Sequence, residues 1–310
     1  MLPPHRSLAT SVTALVVLAV AVGCSPEGMT PSQGLSDGAN AEQGPGVKPA
    51  DTHSNEPAGF TPVTNNPTDF LPPLSNYFSS VPGVWKMNSA PTAKLVTDAT
   101  APCSPPRAWS TTYKAGMQAG RGPIVLWTQG KTGAPPESRR WYIQVCMKIG
   151  RNGTYENQGV GTKLFFISIA DDPALERCAV IPMAKGDVQQ AIKSTWAVYV
   201  VFQCAGILPT ANFYEIPSAG RPFKSDVWQV HEWLVDAGDV DQANGRFQWW
   251  IDGKLVLDKQ NQKFRTNKSG MTHGVNRWRW TPTWGGVTGT RTRDDDYQID
   301  NVYVSGQGKP

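Results

Sequence analysis

Apolar and polar positions alternate with a period of two along much of the chain beyond residue 120. In 141–148, Trp141, Ile143, Val145 and Met147 fall on one side and Tyr142, Gln144, Cys146 and Lys148 on the other. In 246–251, Phe247, Trp249 and Ile251 oppose Arg246, Gln248 and Trp250. Successive side chains of a strand point to opposite faces, so each segment offers one apolar face to a core. Strand signals of this kind lie at 123–129, 139–150, 162–170, 195–206, 226–238, 244–258 and 295–306, with turn residues between them. Ile251-Asp252-Gly253-Lys254 reads as a hairpin, because Asp-Gly suits a two-residue turn with positive φ at both centres. Only 187–194 reads as helix. The pattern predicts an all-β domain, a two-sheet antiparallel β-sandwich. The faces turned away from the core are polar and aromatic, which is unusual dressing for plain solvent.

Before residue 59 the alternation is missing. Residues 24–58 are dominated by Ser, Gly, Pro, Asn, Asp and Gln. Such a segment buries too little apolar surface to offset its ordering entropy, so it reads as a flexible linker. Residues 1–23 have a short basic start at His5 and Arg6, then an apolar run to Val22. The run is short for a spanning helix and has the form of an export signal. Ala21-Val22-Gly23-Cys24 resembles the lipobox of bacterial lipoproteins, with Ala21 where that family usually has Leu. The resemblance implies a lipid on Cys24 and a membrane partner, leaving the domain of 59–306 tethered on the extracellular face.

Composition narrows the class. There are 30 Gly, 26 Pro and 12 Trp in 310 residues, and charged residues are 17%. The usual charged share is about 25%. These figures exclude a coiled coil, a helical bundle and an acidic disordered chain, and they fit an extracellular β domain. The formal charge of +4 comes without a dense Lys/Arg block, which argues against a nucleic-acid partner. The cysteines are Cys24, Cys103, Cys146, Cys178 and Cys204. If Cys24 carries lipid, an even set remains for disulfides in an oxidising compartment. Cys178 and Cys204 are closest in sequence and are the favoured pair. The spacings do not suit a zinc site.

The second half resembles the concanavalin A-like jelly-roll superfamily. The carrying segments are WQVHEWLV at 228–235, NGRFQWWIDGKLV at 244–256, TPTWGG at 281–286 and DYQIDNVYVS at 296–305. NEPAGF at 55–60 and SPP at 104–106 are similar to openings in exported bacterial relatives of that superfamily. The resemblance implies a jelly roll with its site on a concave sheet face. It does not choose a function, because this fold carries lectins, hydrolases, lyases and inert modules.

The ExDxE carboxylate pattern of the retaining glucanases is missing, which argues against glycoside hydrolysis. Gln229-Val230-His231 resembles the QIH element of family 7 alginate lyases, while that family's other two strand motifs are missing. A lyase would use His231 to move the proton, with Gln229 and Arg246 neutralising a uronate carboxylate. A binding module needs only exposed rings and polar groups around a groove. Gln144, Gln229, His231, Arg246, Gln248 and Trp250 are the candidates for its lining. Arg277 and Arg279 alternate with Trp278 and Trp280, and Trp284 follows; arginines in the groove would favour an acidic glycan. Asp294, Asp295 and Asp296 form an acidic turn that would suit Ca²⁺, although no EF-hand pattern is present and no cofactor is expected. The leading expectation is a surface-tethered polysaccharide-binding lipoprotein. A polysaccharide lyase and a structural envelope protein are the alternatives.

Overall fold

The computed structural model describes residues 53–66, 85–87, 94–103, 105–124, 126–128, 137–169, 178–204, 212–215, 220–267, 272–286 and 288–307. The signal segment, Cys24 and the linker as far as Thr52 lie outside them. The strands begin with β1 (Thr61–Asn66), β2 (Trp85–Met87), β3 (Lys94–Thr97), β4 (Arg107–Tyr113), β5 (Leu126–Thr128) and β6 (Arg140–Gly150). Then come β7 (Tyr155–Asn157), β8 (Thr162–Lys163), β9 (Phe166–Ile169), β10 (Cys178–Ala184), β11 (Ala191–Lys193), β12 (Thr195–Trp196) and β13 (Val198–Cys204). The last are β14 (Asn212–Glu215), β15 (Phe223–Lys224), β16 (Gln229–Asp236), β17 (Gly245–Ile251), β18 (Lys254–Gln262), β19 (Val275–Trp280), β20 (Thr283–Trp284) and β21 (Asp295–Gln307).

Two large antiparallel sheets result, and the two-stranded pairs β7–β11 and β12–β15 complete the described strands. The first runs β18-β17-β16-β6-β21-β4-β3, with β1 also paired to β21. The second runs β14-β13-β10-β9-β19-β5-β2, with β8 bridging β10 and β20. The period-two pattern explains the layering. Trp141, Ile143, Val145 and Met147 of β6 face the same core as Trp233 and Val235 of β16 and Phe247 and Trp249 of β17. Val180 of β10, Val198, Val200 and Phe202 of β13, and Trp278 and Trp280 of β19 close that core from the other sheet. The hairpin at Asp252-Gly253 has φ of 51° and 73°, with Ile251 opposite Lys254.

The structure adds strands that the pattern did not signal, β1, β3, β4 and β10 among them, and two of the differences have a clear physical reason. Residues 187–194 form a turn and the short strand β11, which pairs with β7. Gln190 takes a φ of 54°, which ends any helical path there, and the Asp187 carboxylate is held by Lys193 and Arg221. The second difference is β10, an interior strand hidden by Pro182. A proline lacks the N–H that a ladder needs and so argues against a central strand. Here the missing donor falls at the interruption between β8 and β9, where the Leu164 N–H donates to the Pro182 carbonyl instead.

Two disulfides form, Cys178–Cys204 and Cys103–Cys146. The first joins residues directly opposite one another in the β10–β13 register. The second fastens the loop before β4 to the outer face of β6. Bridges of this kind belong to an oxidising compartment and fit an exported domain.

Candidate functional site

Each sheet has an outer face, and the candidate residues are divided between these two faces and the core. Strand register places the first sheet's outward side chains in rows. Tyr303, Gln144, Glu232 and Trp250 stand opposite one another across β21, β6, β16 and β17. The next row is Ser305, Tyr142, Leu234 and Gln248. Tyr142, Leu234, Trp250 and Tyr303 pack together as an outer apolar cluster.

Residues 53–60 cross this face as a strap, ahead of the expected boundary at 59. A turn closes the strap, with the Glu56 N–H donating to the His53 carbonyl at 3.1 Å. Its contacts are made mainly by side chains of the sheet. The His53 N–H donates to Gln144 Oε1 at 2.7 Å. The Asn55 backbone N–H and side-chain amide donate to the two oxygens of Glu232 at 3.0 and 2.9 Å. Tyr142 adds its hydroxyl to the same carboxylate at 2.5 Å. Tyr303 donates to Glu56 at 2.8 Å, and the Arg140 guanidinium lies 5.6 Å from the Phe60 ring centroid. Glu232 is thus a carboxylate only 1% exposed, surrounded by donors. Burial, then the Glu232 hydrogen bond, pushes the Tyr142 hydroxyl far above its ordinary pKa. Tyr303 is pushed up to about 12, by burial first and by Glu56 second.

At the other end of this face, Lys148 and the Trp228 indole N–H both reach Asp98 Oδ2, at 2.6 and 3.0 Å. Burial works to raise the Asp98 carboxyl, but these bonds and those from Thr100 outweigh it and hold it well below the usual range.

The groove expected from the sequence does not assemble. Arg246, Gln248 and Trp250 share the outer face of the first sheet, with Gln144. Gln229 and His231 point the other way. The register puts His231 opposite Ile251, both inward, and Glu232 opposite Trp250, both outward. His231 is 0% exposed among Phe223, Trp233 and Trp249. Burial lowers its pKa to about 3, so the ring is neutral, with Nδ1 accepting from the Trp249 indole at 3.2 Å. The ring is thus placed in the core and not on the outer face where the expected groove would lie. Gln229 is spent on structure: it accepts from the Lys224 N–H at 2.6 Å and donates to the Pro222 carbonyl at 2.9 Å. Arg246 is partly exposed and paired with Asp258 through two nitrogens, at 2.8 and 2.5 Å. Gln248 and Trp250 are nearly covered.

Trp284 is no platform either. It is buried, with its indole N–H on the Glu156 carbonyl at 3.1 Å and the Arg291 guanidinium 5.1 Å from its ring centroid. Arg291 itself pairs closely with Asp295 and lies 3.9 Å from Glu156, all three buried. The acidic turn is dispersed: Asp294 pairs with Lys114, Asp295 with Arg291 and Arg293, and Asp296 with Arg151. Those carboxylates diverge toward separate cations. Among the described residues, no cluster of three or more His, Cys, Asp or Glu is placed to hold a metal.

The second sheet's outer face carries a different chemistry. On β19, Trp278 and Trp280 enter the core and Arg277 and Arg279 face outward. The Arg279 guanidinium lies 4.6 Å from the Phe166 centroid, and Lys163 Nζ lies 5.3 Å from the same ring. Phe166 packs with Ala179, Ile181, Met183, Tyr199 and Val201. The register sets Gln203, Ala179, Ser168 and Arg277 in one row and Tyr199, Met183 and Lys163 in another. The Tyr199 hydroxyl donates to the Val160 carbonyl, and burial raises its pKa. Lys163, Arg279 and the largely covered Arg277 thus lie on the same side of the sheet as this covered apolar cluster.

Sequence reasoning missed Lys163 and Phe166 as partners. Strict alternation puts residues 163 and 166 on opposite faces. The interruption opposite Pro182 turns both Leu164 and Phe165 inward, and that shift of phase brings the two together.

No protein-family model matches the chain, and no curated protein matches it. Solved structures do. A marine alginate lyase from Aplysia kurodai is 12% identical with a TM-score of 0.58, covering 81% of this chain and 100% of its own. An alginate lyase from a Chlorella virus is 12% identical with a TM-score of 0.54, covering 75% of this chain and 97% of its own. The shared feature at that identity is the fold: this chain has the concanavalin A-like jelly roll that the sequence segments resembled.

Proposed function

We propose that the protein is an exported polysaccharide-binding module that takes an anionic glycan on the outer face of its second sheet. The observation that carries this reading is the approach of Lys163 and Arg279 to the Phe166 ring, with the largely covered Arg277 two positions away on the same strand. Guanidinium groups match carboxylate or sulfate oxygens in a planar fork. Phe166 and the apolar side chains beside it are themselves covered, 8% exposed or less, so a sugar would meet the charged groups at the margin of this patch first. The likeness to two alginate lyases supports a polysaccharide ligand for a fold of this kind. Binding without bond cleavage is favoured, because His231 and Gln229 lie in the interior, away from Arg246. The Cys24 lipid and the linker of 24–52 would hold the module off a membrane, with the glycan as its outward partner.

Affinity electrophoresis in gels containing alginate or polygalacturonate tests the reading. Retention by the acidic gels, absent from a neutral β-glucan gel and lost in Arg277→Ala/Arg279→Ala, is the expected result. Equal retention of wild type and double variant would sink it. A rise in absorbance near the unsaturated-uronate band during incubation would replace binding with elimination. Anchoring is tested separately: Cys24→Ala should move the protein from the membrane fraction to the soluble fraction.

A further inference from the structure

The outer face of the first sheet carries chemistry that the glycan face proposed above does not use. Its row of Tyr303, Gln144, Glu232 and Trp250 spans neighbouring strands, which lie about 4.8 Å apart. That spacing is close to the length of one sugar ring. A phenol, an amide, a carboxylate and an indole therefore stand in register on an outward face, with the Tyr142 phenol in the next row. Strap residues 53–60 cover them.

The way the strap is held is informative. Asn55 presents two neighbouring N–H donors to the two oxygens of Glu232, at 3.0 and 2.9 Å. Vicinal hydroxyls of a pyranose offer a carboxylate the same pair of donors. Gln144 accepts a third donor from the strap, and the His53 ring sits 3.8 Å from the Tyr303 ring, where a sugar face would stack. These contacts are read by side chains, whereas the strand ladder to β21 begins only at Thr61. A segment held this way can lift without unzipping the sheet.

We propose that this face is a second carbohydrate site, for a neutral pyranose, and that residues 53–60 gate it by occupying it. Glu232 makes the site unsuited to the anionic glycan of the other face, since like charges repel. The strap lowers the apparent affinity of the closed protein by the fraction of time the face is open. Loosening the strap therefore raises affinity without adding any contact to the sugar.

The test uses the full chain and the variant Asn55→Asp, which sets a second carboxylate beside Glu232 and leaves every sheet residue in place. Folding is followed by near-ultraviolet circular dichroism, so the result does not depend on binding at Arg277 and Arg279. Hydrogen exchange should show 53–60 losing protection while β16 keeps its own. Affinity electrophoresis against a soluble neutral β-glucan and β-mannan should then show retention of Asn55→Asp on at least one of them, where wild type migrates freely. That gain should vanish in Asn55→Asp/Glu232→Ala. An opened strap with retention no better than wild type overturns the site. Unchanged protection of 53–60 in both Asn55→Asp and the milder Asn55→Ala overturns the gate. If Asn55→Asp fails to fold, Asn55→Ala carries the same comparison.

Discussion

The indole N–H of Trp249 donates to Nδ1 of His231 across 3.2 Å, inside the core between the two sheets. That bond exists only while the imidazole is neutral. It turns a residue with the look of a catalytic base into a fixed part of the aromatic interior.

Acid sensitivity follows from it. The folded state holds His231 near a pKa of about 3, against 6.5 for the ordinary side chain. Between those values the unfolded chain binds the proton and the folded chain does not, so stability rises with pH. The contribution is complete above about pH 6.5 and falls away as pH drops toward 3. From this group alone, urea unfolding at pH 5 should give about 2 kcal/mol less stability than at pH 7. His231→Phe should flatten that slope while lowering stability at pH 7, because the Trp249 N–H loses its acceptor.

The buried ion cluster should be the most mutation-sensitive polar group. Arg291→Ala leaves Asp295 and Glu156 without their buried cation, and a loss of ~3–5 kcal/mol is expected. Thermal unfolding measures it. Adding Asp295→Asn to that variant should recover part of the loss, since one uncompensated charge is removed. A loss below ~1 kcal/mol would mean the cluster is solvated.

Glycan retention on the second sheet should weaken with salt. Single Arg277→Ala and Arg279→Ala variants should each lose about tenfold in affinity for alginate, in line with charge-assisted hydrogen bonds. Raising ionic strength should weaken wild type more than either variant. Trp278→Ala and Trp280→Ala should instead lower the unfolding midpoint, because those rings fill the core.

Each disulfide should be present in the exported protein and carry stability. Mass spectrometry without reductant should recover peptides joining Cys178 to Cys204 and Cys103 to Cys146. Replacing either pair by Ala should cost about 3 kcal/mol. The Cys103/Cys146 replacement should also raise hydrogen exchange in 98–103, the segment that this bridge fastens to β6.

Alternation alone determined much of this protein. It separated Trp278 and Trp280 from Arg277 and Arg279, and Phe247 and Trp249 from Gln248 and Trp250. It also read the Asp252-Gly253 hairpin and the two-sheet class, because side-chain direction in a strand is a local property with a period of two. Which strand lies beside which, and in what register, was beyond it. The pairing of Glu232 with Trp250 is what sends His231 and Gln229 into the core, and no local pattern in 229–231 records it. The break opposite Pro182, which unites Lys163 with Phe166, depends on a partner strand in the same way. Asn55 meets Glu232 from 177 residues away. A contact of that range is decided by the packing of the whole sandwich, so the strap and the face it covers became visible only in the tertiary structure.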